Sequence, residues 1–196
     1  MCIICASPSG VRQPSLSQII TMFANNPHGA GYMAARNGKV IIHKGFMDID
    51  SYLDALKSEN FTAEDSVVYH FRISTQAGVC PEMTHPFPLS NQLKLMRELD
   101  LACPVGVAHN GIIRMTSDPE ETTYSDTALF ITRYLRRLLR RPAQLRNQAF
   151  MDTIYAMAQS KFAIMDGTGY IATVGPFRNV NGLLFSNDSF LPRRWW

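Results

Sequence analysis

The chain has 196 residues, 46% of them hydrophobic and 18% charged, with a formal net charge of +3. That length suits one large domain, residues 1–196, with a substantial buried core, and that composition excludes a disordered chain. The apolar runs are too short for a membrane span and the start lacks the basic and apolar stretches of a secretory signal, so a cytoplasmic protein is expected. In a reducing compartment the four cysteines form no disulfide frame, and each is core, ligand or nucleophile.

Residues 2–6 read as a buried strand closed by Ser7-Pro-Ser-Gly10, an unusual place for a chain terminus, which is normally frayed and solvated. Ser15 or Ser17 caps a helix running to Ala24. Residues 29–33 and 39–43 form a hairpin through Arg36-Asn-Gly38, since Asn-Gly supplies the turn. Asp48 caps a short helix over 51–57. Residues 67–73 alternate as a strand that carries Arg72 into a polar Ser-Thr-Gln run. The proline-rich stretch 78–88 is a loop. Residues 105–109 form another strand, ending at Asn110-Gly111. Ser125-Asp-Thr127 opens a helix reaching Arg140, Pro142 interrupts it, and a second helix covers 143–159. A hairpin over 162–174 and a short strand at 182–185 follow. Strands at both ends with helices between predict an α+β protein, two sheets covered by helices.

Two features in this pattern carry chemistry. A guanidinium at a strand end, as Arg72 is, can grip a carboxylate through two parallel hydrogen bonds. Removal of Met1 would leave Cys2 with a thiol and a free α-amine; the amine, with a reference pKa of about 7.7–8.0, can take the thiol proton near neutral pH. The bland alternatives are a surface ion pair for Arg72 and a buried apolar role for Cys2.

Met1-Cys2, His70-Phe-Arg-Ile-Ser-Thr75, His85-Pro86, His109-Asn-Gly-Ile-Ile113 and Ser125-Asp-Thr127 occur in the order seen in class II glutamine amidotransferases. The whole chain resembles their glutaminase domain, here standing alone. The resemblance implies the N-terminal nucleophile hydrolase fold, a four-layer αββα sandwich of two antiparallel sheets. It also implies roles: Cys2 attacks the side-chain amide of glutamine, Asn110 and the Gly111 backbone N–H form the oxyanion hole, Arg72 holds the substrate α-carboxylate, Asp126 its α-ammonium, and Thr75 lines the pocket. Two positions depart from the common pattern: Ile3 stands where many members have glycine, and Thr75-Gln-Ala77 where Thr-His-Gly is frequent.

No cofactor and no metal are expected. Cys2 and Cys5 lie three apart and so face opposite sides of a strand, and Cys80 and Cys103 form no close second pair. The five histidines read as scattered, with His70 and His109 holding strand ends and His85 shaping the pocket loop. Glutamine is the expected small-molecule substrate. Because no GxxxxGK[ST] signature activates an acceptor, ammonia is expected to pass to a separate synthase. Two other readings stay open: hydrolysis of another γ-glutamyl amide without ammonia transfer, and a non-catalytic glutamine-binding subunit. Six arginines fall between Arg133 and Arg146. Arg133, Arg137, Arg140 and Arg141 fit a solvated helix face beside an apolar stripe of Ile131, Leu135, Leu138 and Leu139, with docking to an acidic partner or nucleic acid as the minor reading. Arg193-Arg-Trp-Trp196 is expected to fold back on its own domain.

Overall fold

A computed structural model describes residues 1–74, 79–114 and 123–192. The protein is α+β, with two antiparallel sheets. The larger contains β1 (Ile3–Ser7), β2 (Ala30–Arg36), β3 (Lys39–Phe46), β4 (Val67–Phe71), β6 (Asp100–Cys103), β10 (Arg178–Val180) and β11 (Leu183–Phe185), in the spatial order β10, β11, β1, β4, β2, β3, β6. The smaller is β5 (Phe87–Pro88), β7 (Val105–Asn110), β8 (Lys161–Asp166) and β9 (Ile171–Val174), in chain order.

Local chemistry sets the connections. Asn37 and Gly38 both have positive φ, 51° and 75°, the backbone that a two-residue turn needs to match strand twist between β2 and β3. Helix α1 (Leu16–Asn25) starts with a capping box: the Ser15 hydroxyl accepts the Gln18 N–H at 3.2 Å, and the Ser15 N–H donates to Gln18 Oε1 at 2.9 Å. Asp48 caps α2 (Ile49–Glu59) by accepting the Ser51 N–H at 2.8 Å.

Three apolar cores follow from strand alternation. Ile3, Cys5, Tyr32, Tyr69 and Phe71 pack with Met22 and Phe23 of α1 and Tyr52 of α2. The opposite face of the same strands, with Ile4, Ala6, Met33, Ile42 and Val68, packs on Ala108, Ala163 and Met165 of the smaller sheet. The far side of that sheet, with Val107, Phe162 and Ile164, is covered by the helical run from Asp126 and by α5 (Gln148–Ala158). Cys5 is therefore a core residue.

The helical run is less regular than its sequence suggests. It comprises α3 (Asp126–Phe130), a π-helical turn (Ile131–Leu135) and α4 (Arg136–Leu138). At the junction the Thr132 hydroxyl donates to the carbonyls of Ala128 and Leu129, at 3.0 and 3.1 Å. Ile131, Leu135 and Leu139 are buried as expected, but Leu138 is 36% exposed. The second helix does not begin at 143. Pro142–Arg146 forms a 3-10 turn, and Asn147 caps α5 by accepting the Phe150 N–H at 3.1 Å.

The proline-rich stretch expected to be a loop instead contains a 3-10 turn (Pro81–Met83) and β5, which pairs with β7, and Lys44 packs against it. The buried Lys44 ammonium donates to the carbonyls of Met96 and Glu82, at 2.6 and 3.0 Å, and sits 3.9 Å from the centre of the Phe87 ring. Burial lowers its pKa to about 7. Among the described residues no helix is long and apolar enough to cross a membrane.

Candidate active site

Cys2 precedes β1, a strand flanked on both sides inside the larger sheet. The register of β1 with β4 pairs Ile3 with Phe71 and Ile4 with His70, so the next step sets Cys2 opposite Arg72. Alternation puts Cys2 and Arg72 on the same face as Ile4 and His70, toward the smaller sheet. The Cys2 thiol donates to the Ile73 carbonyl at 3.6 Å, and the Ile73 N–H donates to the sulfur at 3.4 Å. Burial pushes the thiol pKa up, while the Ile73 N–H, the Arg72 guanidinium and the terminal ammonium pull it down. Met1 is 73% exposed.

Arg72 is only 6% exposed. The α1–β2 connection brackets its backbone: its N–H donates to Gly29 O at 2.8 Å and its carbonyl accepts the His28 N–H at 2.9 Å. His28 Nδ1 also accepts the Ser74 N–H at 2.9 Å, and the Arg72 guanidinium reaches Ser74 Oγ at 3.4 Å. Gly29 has φ +111°, and a Cβ there would stand 2.6 Å from Thr84 Cγ2, so the bracket requires glycine.

Asn110 ends β7 in the other sheet and is buried. Its amide donates to Ser186 Oγ at 2.8 Å, and that same hydroxyl accepts the Ile4 N–H at 2.9 Å. One hydroxyl thus links Asn110 to the strand that carries Cys2. Asn110 Oδ1 has no partner in its buried position. Turning the amide by half a turn would give Oδ1 the Ser186 hydroxyl proton and release both Nδ2 hydrogens to a substrate oxygen. Gly111 follows with φ +148°, and a Cβ there would meet Ser160 Oγ at 2.4 Å, so only glycine presents its N–H in this conformation.

Asp126 opens α3, capped by Ser125, whose hydroxyl accepts the Ala128 N–H at 3.2 Å. Its carboxylate accepts the N–H groups of Ile113 and Thr127, both at 2.7 Å, and the Thr127 hydroxyl at 3.2 Å. A carboxylate offers about four acceptor sites, so these bonds leave room for one cation donor while fixing the turn after Gly111. Asp126 is thereby tied to the Asn110-Gly111 turn, and Arg72 to Cys2. Thr75 lies outside the described residues, as do 193–196.

Sequence reasoning missed two residues and one cluster. Ser186 is the link just described, and Asn187 donates its amide to the Cys2 carbonyl at 2.6 Å. Both sit just past β11, where a polar pair after a short strand gives no spacing cue. The histidines also prove less scattered than the sequence suggested. His70, His85 and His109 converge, the rings of His70 and His85 lying 4.4 Å apart and those of His85 and His109 6.1 Å apart. His70 Nε2 donates to the His109 carbonyl at 3.0 Å, and His109 Nδ1 pairs with Thr127 Oγ1 at 2.7 Å. Burial lowers the pKa of His70 to about 3 and of His109 to about 4, and holds His85 well below its ordinary value. All three are neutral at pH 7. Among the described residues no group of His, Cys, Asp or Glu is arranged to hold a metal ion.

No protein-family model matches the chain, and no curated protein matches it.

Proposed function

We propose that the protein hydrolyses the side-chain amide of glutamine through Cys2 as an N-terminal nucleophile, and that its helix, sheet, sheet, helix order is the four-layer αββα arrangement of class II glutamine amidotransferases. The observation that carries this reading is the Ser186 hydroxyl, which ties a candidate oxyanion donor in one sheet to the strand bearing a candidate nucleophile in the other.

With Met1 removed, the Cys2 α-amine takes the thiol proton and Sγ attacks the glutamine amide carbon. The resulting oxyanion accepts hydrogen bonds from Asn110 Nδ2 and the Gly111 N–H, donors that gain strength only as the charge develops. The amine returns its proton to the departing nitrogen, ammonia leaves, and a γ-glutamyl thioester remains. Water then attacks the thioester with the amine as base, releasing glutamate and restoring the thiol. Arg72 pairs with the α-carboxylate and Asp126 with the α-ammonium, selecting the free amino acid. The ammonia passes to an acceptor activated on a separate synthase.

Coupled detection of glutamate and ammonia from glutamine tests this reading, and glutamate release below background would reject it. Two variants sharpen the assay. Arg72→Ala is expected to raise KM about tenfold to hundredfold, the loss of a charged hydrogen-bonded pair, with a smaller change in kcat. Ser186→Ala should instead lower kcat about tenfold to hundredfold at little changed KM, because Asn110 loses its anchor. A Ser186→Ala protein with wild-type kcat would remove that residue from the account.

A further inference from the structure

Two successive peptide groups meet the Cys2 sulfur, and His28 holds both of them from the other side. The first joins Arg72 to Ile73: its carbonyl accepts the His28 N–H at 2.9 Å, and its N–H donates to Cys2 Sγ at 3.4 Å. The second joins Ile73 to Ser74: its N–H donates to His28 Nδ1 at 2.9 Å, and its carbonyl accepts from Cys2 Sγ at 3.6 Å. A peptide group is planar, with C=O and N–H pointing opposite ways, so gripping one end aims the other. The imidazole thus decides which end of the second peptide faces the thiol. Because a backbone N–H only donates, Nδ1 carries a lone pair and the ring is the neutral Nε2–H tautomer.

His28 is itself fixed. It follows Pro27, whose ring sets the backbone φ, and the buried Asn26, whose amide donates back to the Met22 carbonyl of α1 at 2.9 Å. Gly29, on its other side, packs against Thr84.

We propose that His28 is a positioning residue that keeps the resting Cys2 as an oriented thiol, by turning the Ile73 carbonyl toward the sulfur. A carbonyl there accepts the thiol proton and disfavours the thiolate, so the proton leaves when the α-amine takes it during attack. Loss of the ring frees the second peptide to turn, which removes the carbonyl from the sulfur or replaces it with the Ser74 N–H. The thiolate gains and the attack geometry is lost. The proposal rests on Cys2 as the nucleophile.

The test is the pH profile of Cys2 alkylation by iodoacetamide on the full chain, followed by intact mass and peptide mapping, beside kcat for glutamine. In His28→Ala and His28→Gln, alkylation near neutral pH should be about threefold to tenfold faster with an unchanged plateau at high pH, while kcat falls about tenfold. His28→Asn should match the wild type in both, because its Oδ1 stands where Nδ1 does and accepts the Ser74 N–H. The charged groups that act on the thiol, the Arg72 guanidinium and the terminal amine, are retained in every variant. Simple loosening predicts the reverse order, since asparagine fills less space than glutamine. If His28→Ala unfolds, His28→Gln carries the comparison. Alkylation needs no turnover, so a wild type that hydrolyses no glutamine would reject the glutaminase reading and leave the alkylation profiles to decide the role of His28. Wild-type profiles in His28→Ala and His28→Gln, or a His28→Asn protein that behaves as they do, would overturn the proposal.

Discussion

Cys2→Ala protein is expected to lose glutamine hydrolysis by about four orders of magnitude or more while keeping its fold, since without the nucleophile only binding and oxyanion donors remain. The thiol makes two long contacts with the Ile73 backbone, and its neighbour Ile3 supplies the core packing. Denaturant unfolding should therefore shift by no more than about 1 kcal/mol. Residual turnover near the wild-type level would eliminate the proposed mechanism.

Acid should destabilise the protein in a window set by its buried histidines. An unfolded histidine titrates near 6.5, whereas His109 and His70 in the folded protein titrate at about 4 and about 3, with His85 also well below the ordinary value. Below pH 6.5 the unfolded chain binds more protons than the folded one, so stability falls as pH falls and continues to fall through the folded values. His109 alone accounts for a loss on the order of 3 kcal/mol by pH 4, against a total near 5–15 kcal/mol, roughly, for a domain. The sharpest variant is His85→Phe. Neither ring nitrogen of His85 has a partner, and its ring lies 4.7 Å from that of Phe87, so an apolar ring loses no hydrogen bond and keeps the contact. Urea unfolding between pH 7.5 and 5 should show a pH slope flatter by about one proton in this variant. An unchanged slope would mean that His85 does not titrate on unfolding.

Elements governed by local chemistry were legible in the sequence. The Asn37-Gly38 turn, the Ser15 and Asp48 caps and the buried alternation of 67–71 need only neighbouring residues to specify them. Three strands escaped because they lie at sheet edges and lack alternation, among them the two-residue β5 inside the stretch read as a loop. β6 buries only Cys103, and β10 buries none of its residues fully. The 3-10 turn at 142–146 passed for helix because its apolar spacing is compatible with either. In the site, the Asn110-Gly111 turn and Arg72 stand at strand ends that periodicity locates. Ser186 and the His70, His85 and His109 cluster arise from contacts between distant strands and loops, which no local spacing encodes.

The most direct test of the N-terminal nucleophile is the intact mass of the purified chain after incubation with a diazo-ketone analogue of glutamine. The account predicts a chain lacking Met1, carrying one adduct that maps to Cys2, with labelling suppressed by excess glutamine. A chain that retains Met1 and takes up no adduct, or an adduct on Cys80 that glutamine does not suppress, would contradict it.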